Sequence, residues 1–513
     1  MRSSFLIGAM AMLPVCVAAQ EPLSAIDWLS QSVRENSVLT RPTDALEDNA
    51  PVSEGVNTDE IVVTPLDQIK KDAVGLLPAS VSGLPPGFWG DTPGPVLQEL
   101  IAQQSTDSLP EIQRLLYTIL LAELDAPISL GSGSDVLLAR IDKLLDLGAL
   151  EQAQALLERA GPTEAEIFRR WFDVSLLTGR EDFACKAMAA APGFAPTLQA
   201  RVFCLARNGD WNAAALTLAT GESLGFITQD EADLLAWFLD PGLFEDHPDL
   251  PQPARLTPLV FTMREAIAQP RPTGQLPRAF LFADLRPSSA WRGQIVAAER
   301  LVRAGAIETG TLIHLYTAKK PAASGGVWDR AEAIQAFDVA LLSGDTAMIG
   351  NTLKPAFLAM ETVKLEVPFA RMFGDRLVGL DLPAAQRDIG LTISLLSDGY
   401  ETAPRLFEPE TDTELFVLGL AQGRLGGKEP PKGALGAAIS DAFRKPLPSG
   451  QMFDLLQQNR LGEAVLRAML LLQNEAQADP GDIQTALATF RAVGLEEEAR
   501  RVAIQLILLE RRG

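Results

Sequence analysis

Few residues in this chain could do acid–base or metal chemistry near neutral pH. The two histidines are His247, in a proline-rich stretch, and His314, within "TLIHLYTAKK". Neither stands at metal-ligand spacing from cysteines or carboxylates, which disfavours a zinc site. A Ser–His–Asp triad would need one of them, and we expect no nucleophile elbow of the G-x-S-x-G type. The sequence therefore predicts no catalytic residue, no cofactor-binding residue and no metal ligand.

Two glycine-rich stretches share only glycine content with phosphate loops. "LGSGSD", at 130–135, follows a helical pattern and lacks the lysine that contacts phosphate, so it predicts a turn with Asp135 as a helix N-cap. "SGGVWDR", at 324–330, predicts a glycine pair that frees the chain to begin a helix. Neither stretch indicates a nucleotide site.

Two cysteines follow the N-terminal segment, Cys185 and Cys204. If "EDFACKAMAAA" and "APTLQARVFCLARNG" form consecutive antiparallel helices, the two thiols lie at similar heights beside the turn. We therefore expect a disulfide between them. The alternative is a pair of buried free cysteines that act as small hydrophobic residues.

Composition predicts an all-α fold and excludes some partners. Alanine and leucine dominate the apolar positions, aromatic residues make up 6%, and β-branched runs are scarce. The net charge of −22 disfavours nucleic acid and anionic membrane surfaces, because both require clustered lysine and arginine. The acidic residues are scattered, as is typical of a solvated surface.

The N-terminus has the pattern of an export signal. Arg2 supplies a positive charge, "FLIGAMAMLPVCV" is an apolar run too short to cross a bilayer, and residues 17–19 fit the small-residue rule for cleavage. Cys16 follows Val15, which disfavours lipidation. We expect cleavage after Ala19, a mature chain without a transmembrane segment, and a periplasmic location.

The remaining pattern divides the chain into segments of different character. The predicted segments are a signal peptide (1–19), a short amphipathic helix (20–33), a flexible acidic linker (34–72), an extended Gly/Pro-rich apolar segment (73–94), a helical block (95–240), a Pro-rich interruption (241–290) and a second helical block (291–513). Phe88 and Trp89 are the expected anchors of the apolar segment.

The short helix at 20–33 carries apolar residues at spacings of three and four. On a long linker it would dock a partner protein. Alternatively, it folds back onto the body of its own chain. The residues that would make either contact are Leu23, Ile26, Trp28, Leu29 and Val33.

A recurrent pair of small residues marks a helical repeat. A glycine that closes one helix is followed five positions later by an alanine on the next, and one asparagine replaces the glycine. The pairs are Gly148/Ala153, Gly179/Ala184, Gly209/Ala214, Asn459/Ala464 and Gly494/Ala499. The glycine lets the first helix stop and reverse, and the alanine lets the second approach closely. The first three glycines are 31 and 30 residues apart, near the length of a two-helix repeat.

"LARIDKLLDLGALEQAQALLERAGP" resembles tetratricopeptide-type repeats. Gly148 matches the turn glycine of that family, Leu150 its aromatic position, and Ala153 and Ala160 the small positions of the second helix.

"RVFCLARNGDWNAAALTLATG" repeats the match with Gly209, Trp211 and Ala214, whereas Ile141 and Val202 replace the family's first-helix glycine. The resemblance implies a degenerate α-solenoid of antiparallel helix pairs and a role as a protein–protein scaffold.

These observations favour an exported, non-enzymatic scaffold or adaptor that binds an unidentified protein of the cell envelope. One alternative is an accessory factor or chaperone of an envelope machine, such as peptidoglycan synthesis, outer-membrane assembly or the flagellar motor. A peptidoglycan-active enzyme on a helical solenoid is a minor alternative, since the signatures of lytic transglycosylases are not found. A binder of glycans or small molecules would need an aromatic-lined cleft. The tryptophans that could line one are Trp171, Trp211, Trp237, Trp291 and Trp328.

Overall fold

The computed structural model describes residues 26, 28–29, 70–128, 133–244, 247–269, 276–380, 382–445, 447–448, 450–473 and 478–509. These residues are all-α, with 24 α-helices, several 3₁₀ segments and no β-strand among them. None of the described helices has the length and hydropathy needed to cross a bilayer. The predicted signal peptide and most of the predicted linker lie outside the described residues.

The first twelve helices are α1 (Ala79–Ser82), α2 (Gly94–Gln103), α3 (Pro110–Leu121), α4 (Asp135–Leu147), α5 (Leu150–Ala160), α6 (Ala165–Thr178), α7 (Glu181–Ala190), α8 (Leu198–Arg207), α9 (Trp211–Ser223), α10 (Gln229–Leu239), α11 (Pro258–Ala266) and α12 (Trp291–Arg303). The others are α13 (Thr309–Thr317), α14 (Val327–Ser343), α15 (Thr346–Glu361), α16 (Glu366–Leu377), α17 (Arg387–Leu396), α18 (Ala403–Leu406), α19 (Asp412–Ala421), α20 (Ala434–Arg444), α21 (Gln451–Gln457), α22 (Leu461–Leu471), α23 (Pro480–Ala492) and α24 (Glu496–Leu508). The 3₁₀ segments are Lys71–Ala73, Pro192–Phe194, Pro241–Phe244, Arg278–Leu285, Ala384–Gln386 and Tyr400–Thr402.

Tight turns and small residues pair neighbouring helices. Gly148 ends α4 with a φ of +80°, and Asn459 takes a φ of +57° before α22. Both values lie in the left-handed region that glycine and asparagine tolerate best. The alanine five positions after each predicted turn residue is fully buried, namely Ala153, Ala184, Ala214, Ala464 and Ala499. The predicted close approach of the second helix is therefore confirmed at all five turns.

Each helix from α4 to α11 contacts the next one along the chain. The segment 241–290, predicted to interrupt two helical blocks, is itself packed: α11 contacts α6, and the 3₁₀ segment Arg278–Leu285 contacts α4, α6 and α12. Its aromatic side chains explain this, because the rings of Phe261 and Phe280 are buried 5.2 Å apart. The segment thus joins the two predicted blocks.

The C-terminal helices return to the N-terminal ones. Here α22 packs against α2, and α24 packs against α3. Gln104 Nε2 donates to the carbonyl of Leu466 at 3.1 Å, and the backbone N–H of Glu111 donates to Gln505 Oε1 at 3.0 Å. An array of repeats that touch only their neighbours makes no such contacts. The described chain therefore closes on itself.

The apolar segment at 73–94 is anchored as expected. Phe88 and Trp89 are buried, and the carbonyl of Phe88 accepts a 2.8 Å hydrogen bond from the N–H of Gly462. A Cβ at Gly90 would lie 1.8 Å from the carbonyl oxygen of Asn459, so only glycine fits there. The segment is not wholly extended, since α1 forms one helical turn within it.

A second core lies within α12 to α17. Its centre is a cluster of three phenylalanines in which Phe369 and Phe373 have ring centroids 4.8 Å apart, and Phe337 lies 5.1 Å from Phe373. Such edge and offset contacts add to the stabilisation from apolar burial. This core supports the helices α16 and α17 that carry the candidate site.

Arg140 on α4 ties the end of the predicted linker to the body. Its guanidinium donates to the carbonyls of Leu120, Val74 and Ala122, each at 2.8 Å. Burial lowers the pKa of Arg140 to about 10, and the charge of Asp72 partly offsets this effect. Asp72 is also buried, and its Oδ1 accepts from the N–H of Leu137 at 2.7 Å. The predicted flexible linker thus ends in ordered structure by residue 70.

We expect Arg140→Met to lower the free energy of unfolding by about 3 kcal/mol or more, because the substitution leaves several buried carbonyls without a donor. Urea denaturation followed by circular dichroism measures the change. Arg159→Met is the matched control, since the Arg159 side chain is 58% exposed and its nearest described carboxylate oxygen lies 3.8 Å away. Equal losses in the two variants would contradict a special role for Arg140.

Candidate functional site

The histidines are exposed side chains in the structure. His314 points outward from α13, because the neighbouring buried positions on that helix are Leu312 and Tyr316. His247 is also exposed, and its ring packs edge-on against Phe244 at 5.2 Å. Among the described residues, no three His, Cys, Asp or Glu side chains gather as a metal-binding group.

The expectation about G-x-S-x-G needs correction, because "GESLG" at 221–225 matches it in letters. Ser223 is the last residue of α9, and its Oγ donates to the carbonyl of Ala219 at 2.7 Å. A nucleophile elbow instead holds its serine at a strand-to-helix turn. The matching residues therefore form the end of a helix and not a nucleophile elbow.

The two helix starts predicted from glycine-rich stretches differ in outcome. Ser134, not Asp135, occupies the N-cap position of α4, and Asp135 is the first helical residue, so the helix begins one residue earlier than predicted. Gly326 precedes α14 with a φ of 58°, which agrees with the predicted start.

Cys185 on α7 and Cys204 on α8 are joined by a disulfide in the structure, with Cα atoms 4.9 Å apart. Both residues are buried. The neighbouring helices α7 and α8 contact each other, as the sequence argument required. The bridge lies among core side chains and braces a helix pair, and neither cysteine lines any of the three cavities described below.

Part of the predicted docking helix lies against the body. Ile26, Trp28 and Leu29 are buried, and the ring of Trp28 meets that of Phe280 edge-on at 5.4 Å. Arg255 donates to the carbonyl of Leu29 at 2.6 Å. These contacts favour the fold-back interpretation, whereas docking to a partner stays a prediction. Leu23 and Val33 lie outside the described residues.

The tryptophans do not form an aromatic cleft. Trp171 and Trp237 are buried, and Trp211 is 53% exposed on α9. The rings of Trp291 and Trp328 lie 5.0 Å apart. None of the five lines any of the three cavities described next.

A cleft of about 730 Å³ lies between α3, α13 and α16. Its arginines already have carboxylate partners in the protein. Arg114 donates to Glu111 through Nε at 2.9 Å, and Arg371 lies 3.5 Å from Asp398. The charges in this cleft therefore serve the closure between the two ends of the chain. A smaller cavity of about 240 Å³ lies between α10 and residues 250–264.

A groove of about 520 Å³, lined by both apolar and polar groups, is formed by α16, α17 and the chain around α18. We call it the α16–α17 groove. Val378 and Leu406 on its edges are 47% and 43% exposed, so the groove presents apolar surface to solvent. Its lining consists of Gly374, Leu377, Val378, Gly379, Leu380, Leu382, Arg387, Gly390, Ile393, Ser394, Leu406, Phe407, Glu408, Pro409 and Glu410.

Glycine gives this groove its depth. A Cβ at Gly390 would lie 3.0 Å from Leu382 Cδ1 and 3.6 Å from the ring of Phe407, so a larger residue would fill the space between the walls. Gly374 allows α16 to approach α17, since a Cβ there would lie 2.7 Å from the Cβ of Ser397. Close helix packing thus sets the floor of the groove.

Arg387 fixes one wall of the groove. Its Nε lies 2.9 Å from Glu410 and its Nη2 lies 2.8 Å from Glu414, while Nη2 also donates to the carbonyl of Glu408. The hydrogen bond from Arg387 lowers the pKa of Glu414 below its usual range. Arg387 thus shares its single positive charge among Asp388, Glu410 and Glu414, so this wall has a net negative charge. Glu410 lines the groove and is 65% exposed, and Asp388 beside the groove is 91% exposed.

The sequence argument missed this groove. Its lining comes mostly from the connections that follow α16 and α18, which carry no helical periodicity. The only signal was the apolar content of "LVGLDLP" and "LFEPE", at 377–383 and 406–410, between predicted helices. An apolar floor with an acidic rim is suited to holding an amphipathic segment.

We expect Trp28→Ala to lower the free energy of unfolding by about 3 kcal/mol, because it empties a space filled by a buried aromatic ring. The midpoint of urea denaturation measures this. Trp211→Ala on the exposed face of α9 is the control. An unchanged midpoint for Trp28→Ala would favour the partner-docking interpretation of the N-terminal helix.

Reduction of the disulfide is expected to lower the free energy of unfolding by about 3 kcal/mol, as the chain-entropy model gives for a loop of this size. Intact mass with and without reductant establishes the bridge, and denaturation of both forms measures its effect. The Cys185→Ala/Cys204→Ala variant should not respond to reductant. A parent protein whose mass does not change on reduction would show free thiols instead.

Comparisons with known proteins give no family for this chain. A scan against family models matches nothing, and searches of the curated proteins and of the solved structures find no significant similarity. The function is therefore argued from the geometry of the chain itself.

Proposed function

We propose that this chain is an exported, periplasmic scaffold that binds another protein without catalysing a reaction, and that its helix pairs form a degenerate tetratricopeptide-like array. The paired helices with buried alanines at their turns support the repeat. The α16–α17 groove carries the binding proposal, because it combines the exposed apolar side chains of Val378 and Leu406 with a concave surface and neighbouring carboxylates.

The partner segment is a short amphipathic peptide with basic flanks. Its apolar side chains fill the space between Val378 and Leu406, as in helix-in-groove recognition. Lysine or arginine beside them meets the acidic rim at Asp388 and Glu410, and this complementarity selects against acidic segments. The net charge of −22 adds long-range attraction for a basic partner.

The accessory-factor alternative is a special case of this proposal, in which the partner belongs to one envelope machine. If the short helix at 20–33 docks the partner, Trp28 and Leu29 must leave their buried positions. This step loses their packing and the hydrogen bond from Arg255. The groove is the simpler docking surface because it needs no such rearrangement.

We expect a synthetic Leu/Lys amphipathic peptide to bind the full mature chain at least tenfold more tightly than a Leu/Glu peptide with the same apolar positions, since only the first complements the rim. Fluorescence anisotropy at low ionic strength measures both affinities. Leu406→Asp should weaken binding of the Leu/Lys peptide about tenfold, because it places a charge in the apolar space.

Val81→Asp is the matched control, since Val81 is 67% exposed on α1, outside the groove lining. A photoreactive amino acid at position 378 should then yield a discrete protein adduct in cells, and one at position 81 should not. Equal binding of the two peptides, or equal loss in the two Asp variants, would contradict the groove as the docking surface.

A further inference from the structure

Three arginines meet where α12 ends. Arg300 and Arg303 lie in the last turn of α12, and Arg278 begins the preceding 3₁₀ segment. A Cβ at Gly148 would lie 2.9 Å from Leu301 and 3.2 Å from the Cβ of Arg278, so both segments converge on the turn after α4. We call these three residues the arginine cluster.

The end of α12 is held firmly at this place. The hydroxyl of Tyr117 on α3 donates to the carbonyl of Ala304 at 3.1 Å, and Gln152 on α5 donates to that of Ala306 at 3.2 Å. Arg278 donates to the carbonyl of Thr106. The cluster is therefore built on rigid helices, which is the arrangement that precise recognition needs.

Arg300 and Arg303 differ from the other inward-facing arginines of the described chain. Both are half-buried, and neither has an ion-pair or hydrogen-bond acceptor among the described residues, and Arg303 Nε is fully covered. All the other buried or half-buried arginines of the described chain, from Arg114 to Arg501, have a hydrogen-bond acceptor or a carboxylate partner. Unpaired guanidinium groups at a partly desolvated site are costly, and an anion would relieve that cost.

Charge counting indicates which anion fits. Burial lowers the pKa of Arg278, as do the charges of Arg303 and Arg300, while Asp107 opposes the shift. Burial also lowers the pKa of Arg300, and Arg303 adds to the effect. Asp146 nearby is paired with Lys143 at 3.3 Å. When the negative charge of Asp107 is counted with the positive charge of Arg278, the charges of Arg300 and Arg303 remain without a partner.

We propose that the arginine cluster is a binding site for a phosphate dianion, either free or as a phosphate monoester on a larger molecule. A phosphate monoester carries about 1.5 to 2 negative charges at pH 7, and inorganic phosphate approaches two at pH 8, which matches the two unpaired guanidinium groups. Guanidinium forks also bind phosphate oxygens bidentately, and their planar geometry favours a tetrahedral oxyanion over a point charge.

Isothermal titration of the full mature chain at pH 8 in HEPES, with inorganic phosphate and then glycerol 3-phosphate, tests the site. We expect saturable binding of at least one probe, weakened about tenfold or more by Arg300→Gln or Arg303→Gln, since each substitution removes charge-assisted hydrogen bonds. Preference for inorganic phosphate indicates a free-ion site, and preference for the ester indicates a phosphorylated partner.

Arg292→Gln is the matched control, because Arg292 is exposed on the same helix and no described residue accepts from it. Succinate provides a dianion of different shape. The proposal is overturned if neither phosphate probe binds, if Arg292→Gln weakens binding as much as the cluster variants, or if succinate binds as tightly.

The melting temperature separates ligand binding from a structural role. In phosphate-free buffer, Arg300→Gln should melt no lower than the parent, because the substitution relieves repulsion between like charges. Added phosphate should raise the melting temperature of the parent and not that of the variant. A variant that melts lower without phosphate would assign Arg300 to the fold instead.

Discussion

The contact between α3 and α24 fixes the arrangement of the rest of the described chain. Its central group is Glu111, a buried carboxylate that pairs with Arg114 at 2.6 Å and lies 3.9 Å from Arg371 on α16. A buried charge without such partners would strongly destabilise the fold. Gln505 on α24 accepts from the backbone N–H of the same residue. The helices α3, α16 and α24 must therefore meet around Glu111, although they are distant in sequence. The chain has to close on itself to bring these polar partners together.

Closure determines where the two binding surfaces lie. α17 packs against α24, so the floor of the α16–α17 groove is connected to the closing helix. On the other side of α3, Tyr117 holds the end of α12 and with it the arginine cluster. An open array of helix pairs could bend between its two halves. In the closed chain, both surfaces keep a fixed position relative to α3.

Local features of the fold could be predicted from the sequence, because they depend on neighbouring residues. Helix content, the turns at Gly148 and Asn459, the buried alanines and the anchoring role of Phe88 and Trp89 all follow from propensity and short-range packing. The closure could not be predicted this way. Glu111 and Gln505 are separated by almost the whole described chain, and no periodic pattern relates them.

The same limit explains why both surfaces escaped the sequence argument. The α16–α17 groove is lined by chain connections, and the arginine cluster combines Arg278 with two residues of α12. A basic stripe consists of charges adjacent in sequence, whereas these come together only when the 3₁₀ segment Arg278–Leu285 packs against α4 and α12. The prolines in that segment suggested an interruption, but its buried phenylalanines decided its place.

The separation of charge across the surface gives the two sites different partners. In a chain of net charge −22, an isolated arginine would attract anions weakly, because the surrounding carboxylates repel them. Half-buried guanidinium groups are screened less by salt than exposed ones. In the two proposals, the cluster holds an anion that reaches it, and the acidic rim of the groove governs the approach of a basic protein. The two surfaces select opposite charges, so occupation of one does not require competition with the other.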